Sequence, residues 1–236
     1  MIKEIREELD QLGEESYKQF NQKLIPGTDH VIGVRMPALR KLAKGIAKTD
    51  SKQYLEEAQT EIDERSAHEE IMLYGLVLGY AKMSTEQRMQ ALDMFVPKIH
   101  NWAVCDSCCM GYKFMEKEQE VWFSYLRKYQ NSSREFEVRF FIVSLLAHYI
   151  NEAYIEQVLE ILNHTSHEGY YVKMAVAWAI SIYFIKFPEP VMPYLEHNHL
   201  DDWTFNKALQ KITESCRVDG ETKAVIRAMK RPVSRG

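Results

Sequence analysis

Strand-building sequence is what this chain has least of. Alternation of apolar and polar residues is hard to find along its 236 residues, and glycine (10) and proline (7) are sparse. The Asn-Gly or Asp-Gly pair that marks a tight hairpin occurs once, at Asp219-Gly220, between two helical stretches. Those shortages exclude a sandwich or a barrel. No window of 18 residues is free of charge, so no segment reads as a membrane span. The opening stretch, MIKEIREELDQLG, is too charged to hold the apolar region of a signal peptide. The chain is therefore expected to stay in the cytoplasm.

Cysteine is also scarce, with four in all. Cys105 and Cys108 form a CxxC, but no second pair follows at zinc-ribbon spacing, and no βαβ context supports a redox motif. The expectation is small buried thiols with no zinc, no disulfide and no cofactor. An overall excess of basic charge is missing too, the formal net charge being −4, which argues against indiscriminate binding to polyanions. Local basic clusters are nevertheless present. One comprises Arg35, Arg40, Lys41, Lys44 and Lys48; the other runs from Lys207 through Lys211, Arg217, Lys223, Arg227, Lys230 and Arg231 to Arg235.

What fills the chain is helical periodicity. The spacing of apolar residues predicts helices over 2–24, 36–48, 66–82, 85–98, 101–115, 134–149, 152–163, 169–186 and 204–216, among others. Ser84-Thr85-Glu86 and Ser132-Ser133 are candidate caps, and Pro37 suits a first helical turn. The fold class is all-α. The helices also come in pairs: Tyr80, Phe114, Tyr149 and Tyr183 each end a long apolar helix, at separations of 34, 35 and 34 residues. After each follows a polar break and a shorter amphipathic helix. A period in the mid-thirties with two helices per unit predicts a right-handed α-solenoid of HEAT-like pairs, read as one domain over residues 1–236.

Within that frame one residue is out of place. Eight residues before each helix-ending aromatic stand Met72, Asp106, Phe141 and Ala175. Three are apolar or small; the second is an acid. A carboxylate buried alone is costly, so Asp106 is either a surface residue or a site altered for function. Trp102 precedes it by four residues, which places both on one helical face. Two further residues stand out. Arg139 lies in EFEVRFFIVSLL, just before an apolar run, and Trp178 lies in MAVAWAIS among small neighbours. Taken singly, Trp178 reads as a core residue and Arg139 as a partner of Glu135 or Glu137.

Together these segments resemble the AlkD-type DNA alkylation repair glycosylases, along most of the chain. VIGVRMPALRKLAK (31–44) is similar to that family's glycine turn into the second helix. NWAVCD carries its Trp-x-x-x-Asp segment, EVRFFIVSLL the helix of its DNA-contacting arginine, and VKMAVAWAIS the helix of its second active-site tryptophan. The resemblance implies hydrolysis of the N-glycosidic bond of positively charged N3- or N7-alkylated purines in duplex DNA. It implies Asp106, Trp102 and Trp178 as catalytic residues, and Arg139, Arg35, Phe20 and Lys44 as DNA contacts. The site is expected to be composite across neighbouring repeats, in a monomer that uses neither metal nor membrane. The sequence departs from the family pattern at Phe20, where a tyrosine is usual, and at Arg35, Ala103 and Ser181. Two other functions fit a helical array: a non-catalytic module binding distorted or branched DNA, and a protein-interaction scaffold.

Overall fold

The computed structural model describes residues 1–232, and the regular structure among them is helical: fourteen α-helices and three 3-10 turns, with no strand. Arg235 of the C-terminal basic cluster lies outside the described residues. The chain divides into two compact units, Met1–Phe114 and Met115–Gly236. No helix among the described residues is long and apolar enough to cross a membrane.

The first unit holds α1 (Ile2–Leu12), α2 (Glu15–Leu24), α3 (Met36–Thr49), α4 (Ser51–Glu61), α5 (His68–Tyr80), α6 (Thr85–Phe95) and α7 (Trp102–Cys109). The second holds α8 (Gln119–Leu126), α9 (Glu135–His148), α10 (Ile155–His164), α11 (Tyr170–Lys186), α12 (Pro188–Glu196), α13 (Asp202–Glu214) and α14 (Gly220–Ala228). Within each unit, helices stack in chain order as the predicted solenoid requires: α3 on α5 and α5 on α7, then α9 on α11 and α11 on α13.

Sequence explains which helices lie inside. α5 and α9 are apolar nearly all round, and α5 is buried without interruption from His68 to Leu78. Such a helix can exist in water only when sandwiched. The flanking helices α1, α3 and α10 are amphipathic and bury one stripe each. α5 packs tightly against α7 and the end of α6. A Cβ placed on Gly75 would collide with Cys108 Sγ and the Phe95 ring, so the crossing demands glycine on one side and a small residue on the other. Tyrosine hydroxyls also tie neighbouring repeats together. Tyr112 donates its hydroxyl to the Gly75 carbonyl (3.2 Å), and in the second unit Tyr183 donates to the Tyr149 carbonyl (2.8 Å).

Three expectations need correction. The predicted helix 2–24 is two helices. At Gly13 the backbone becomes extended, and the Glu14 N–H donates to the Gly33 carbonyl (3.0 Å) instead of continuing the ladder. The predicted helix 101–115 stops at Cys109, because Gly111 and Tyr112 donate to the Cys108 and Cys109 carbonyls and tighten into a 3-10 turn at Lys113–Glu116. Ser132 and Ser133 do not cap α9. Its first turn follows Arg134, while the Ser132 hydroxyl donates to Glu137 (2.7 Å). Ser84 does cap α6, its Oγ accepting from the Gln87 N–H (3.2 Å).

Candidate active site

The short helix α7 answers the question Asp106 raises. Val104, Cys105, Cys108 and Cys109 are buried against the core, whereas Trp102, Ala103, Asp106 and Ser107 are half-exposed. The equivalent positions Met72, Phe141 and Ala175 are fully enclosed. α7 departs from the other repeats in ending at Cys109, short of Phe114, and its half-exposed side carries the acid. Trp102, one turn before Asp106, donates its indole N–H to the Leu24 carbonyl at the end of α2 (3.0 Å). Cys105 and Cys108 are buried and form no disulfide, and burial pushes the Cys108 thiol well above its ordinary range.

What aims α7 is a buried polar cluster at its start. Asn101 caps the helix, its Oδ1 accepting from the Val104 N–H (3.0 Å). That bond fixes the amide orientation, so Nδ2 faces His68 Nδ1 (3.1 Å) and His100 Nε2 (3.2 Å) as a donor. Both ring nitrogens then accept, which requires neutral imidazoles. Burial acts in the same direction, holding both below the ordinary histidine range; Glu69 opposes it at His68, and the Lys98 carbonyl and Glu64 oppose it at His100.

The glycine turn ahead of α3 is held by a second buried group. Gly33 has φ +97°, and a Cβ there would strike the Glu14 carbonyl, so only glycine fits. The fully buried Glu69 carboxylate accepts from three successive backbone N–H groups: Ile32 (2.8 Å), Gly33 (2.7 Å) and Val34 (3.2 Å). A carboxylate satisfied in this way tolerates burial. The turn delivers Arg35 to the surface, where its guanidinium grips Glu14 in a fork (2.9–3.0 Å) and lies 4.8 Å from the Tyr17 ring. Tyr17 in turn stacks on Phe20 (6.1 Å), whose ring is 55 % exposed. The sequence reading does not single out Tyr17, whose hydroxyl lies one turn from Phe20. Along α3, Lys44 lies 5.4 Å from the Tyr80 ring and Arg40 donates to the Tyr80 hydroxyl (3.0 Å). Arg40, Lys41, Lys44 and Lys48 line one groove that contains no acid.

In the second unit, Arg139 is almost completely buried and donates to the Tyr171 carbonyl on α11 (2.6 Å). Trp178 lies two turns further along α11, in a half-exposed stripe of Tyr171, Met174, Trp178 and Ile182, and its own neighbours Ala177 and Ala179 are buried. Arg139 and Trp178 thus belong to one face of the second unit, as Trp102 and Asp106 do of the first. The same face carries residues that sequence reading passed over. Trp203, Lys207 and Lys211 are spaced by four along α13, a pattern that was visible in the sequence but read only as part of a charge cluster. Burial lowers the Lys211 ammonium pKa; Glu214 opposes this, while Lys207 and Arg139 reinforce it.

A family model described as DNA alkylation repair enzyme matches residues 5–212, from α1 to α13. No curated protein matches the chain.

Proposed function

Because the chain belongs to the DNA alkylation repair enzyme family, we propose that it is a DNA glycosylase that removes positively charged N3- or N7-alkylated purines from duplex DNA. The observation that carries this reading is the open face of α7, which presents a carboxylate at a register position that is fully buried in the other repeats. In the reaction a water adds to C1′ of the deoxyribose and gives up a proton. The N-glycosidic bond breaks with its electron pair going to the purine, which leaves neutral. Alkylation has already charged the base, so little general-acid help is needed and no acid is assigned. The sugar becomes cationic, and a fixed carboxylate stabilises that charge where it develops. Asp106 does this and positions the water. Trp102, one turn before Asp106, offers its aromatic face to the cationic sugar. Lys44 and the rest of the α3 groove take the phosphate backbone, with Arg35 and Phe20 as further contacts at the start of that helix. Arg139 holds the backbone of α11 and so positions Trp178.

The test is release of alkylated purines from methylated duplex DNA by the wild type and by Asp106→Asn. The expected result is release by the wild type and its near-complete loss in the variant, with duplex affinity largely kept, because the carboxylate acts on charge that exists only in the transition state. Equal release by both proteins would end the catalytic assignment. Duplex binding without release by the wild type would favour a non-catalytic DNA-binding module.

A further inference from the structure

The second unit carries a row of aromatic rings across the starts of three successive inner helices. Phe136 of α9 packs on Tyr171 of α11 (5.3 Å between ring centres), Tyr171 on Tyr170 (5.3 Å), and Tyr170 on Trp203 of α13 (5.6 Å). The row does not sink into the core. Tyr170 is 57 % exposed and Trp203 37 %. Large aromatic surface left in water by two neighbouring repeats is unfavourable unless something covers it. Cations accompany the rings: Lys207 Nζ lies 5.6 Å from the centre of the Trp203 ring, and the Arg139 guanidinium lies 5.9 Å from that of Tyr171. Beyond Trp203 the row opens into a groove of about 510 Å³ between α13 and α14. Lys207, Arg227 and Lys230 line it, with Asn206, Gln210 and Thr213, and no acid does.

We propose that this row and groove form a binding track for an unpaired DNA strand. Bases stack on the open faces of Tyr170 and Trp203, and the adjoining phosphates lie along Lys207, Arg227 and Lys230. The charge of the groove selects a polyanion, and exposed rings beside it select a polyanion whose flat faces are accessible. A closed duplex offers phosphates but keeps its bases stacked on one another. An unpaired strand offers both, and base–aromatic stacking is insensitive to sequence. The proposal rests on DNA as the substrate class and does not require base excision. A strand parted around a lesion is the form of DNA that would use it.

The probe is an eight-nucleotide oligothymidylate carrying a terminal fluorophore, followed by fluorescence anisotropy at low salt. Wild-type protein is expected to bind it with a rise in anisotropy. Trp203→Ala and Tyr170→Ala are each expected to weaken binding by about tenfold, as loss of one stacked base implies, and Trp203→Tyr to restore most of it. Circular dichroism establishes that each variant is folded, and Tyr170, being the more exposed ring, provides the result if Trp203→Ala does not fold. Absence of binding by the wild type, or wild-type affinity in folded Tyr170→Ala, would overturn the track. Equal losses on a blunt duplex of the same length would overturn its assignment to unpaired bases. Failure of purine release by the wild type would end the glycosylase reading and leave these outcomes unaffected.

Discussion

The two units hold their candidate residues with different shares of polar and apolar contact. In the first, α7 is only eight residues long and is set at its start by a buried polar cluster, Asn101 between His68 and His100, while the buried Glu69 holds the glycine turn that carries Arg35. In the second, Arg139, Trp178 and Trp203 ride on helices of 14, 17 and 13 residues packed largely through apolar side chains, the Arg139–Tyr171 bond joining α9 to α11, and no acid of that unit is buried among the described residues. A short helix gains little from propagation and cannot bury enough surface to orient itself. Directional bonds have to do it, and each such bond is costly to break. The lesson is that a polar lock defines one geometry sharply but fails abruptly, whereas apolar packing yields by degrees.

The sharpest way to break that contrast is Glu69→Ala. It strips three backbone N–H groups of a charged acceptor in a fully enclosed place. Hydrogen bonds to charged groups contribute about 1.5–3 kcal/mol each, so a loss of at least about 3 kcal/mol is expected in chemical denaturation. Removing a hydroxyl from the second unit by Tyr183→Phe, which deletes the bond to the Tyr149 carbonyl, is expected to cost only about 1 kcal/mol. Comparable losses for the two variants would erase the distinction.

Gly75→Ala is the intermediate case. The added methyl meets Cys108 Sγ and Phe95, and relief requires α5 and α7 to part. Overpacking of this kind costs about 1–3 kcal/mol. Because Cys108 lies on the same short helix as Asp106, the proposed function also expects purine release to fall. A variant that loses stability but keeps full release would show that the position of α7 is looser than described.

The smallest effect is on pH dependence. His68 and His100 are held neutral in the fold, below the ordinary value of 6.5. Above that value both states are neutral and the histidines contribute nothing to a pH slope. As pH falls through 6.5 the unfolded chain takes up protons that the folded chain refuses, so stability drops until the folded groups titrate in turn. The expected result is a fall in Tm between pH 7 and pH 5. His68→Gln should flatten part of that slope. An unchanged slope in the variant would mean that other groups set it.

Much of the fold was legible in the sequence because the repeat is carried by large apolar helices, whose period survives local irregularity. The breaks were not. Gly13 alone does not stop a helix; the Glu14–Gly33 bond that stops it joins segments about twenty residues apart. The early end of α7 likewise depends on turn bonds at Gly111 and Tyr112. For the site, the single acid among Met72, Phe141 and Ala175 pointed to an opened face, and α7 has one. The aromatic row was illegible for a different reason. Phe136, Tyr170, Tyr171 and Trp203 come from three helices, and each alone reads as a core residue or an ordinary surface aromatic. Their adjacency exists only after the helices stack.

One consequence of the Trp102–Leu24 bond concerns what the tryptophan can recognise. An indole has one donor and no acceptor. At Trp102 that donor is committed to the carbonyl at the end of α2. The side chain therefore meets any ligand with its ring face and carbon edge alone. It cannot query the pattern of hydrogen-bonding groups by which one purine differs from another. Selection by such a surface falls on charge and shape, and a guanine and an adenine carrying the same positive charge look alike to it.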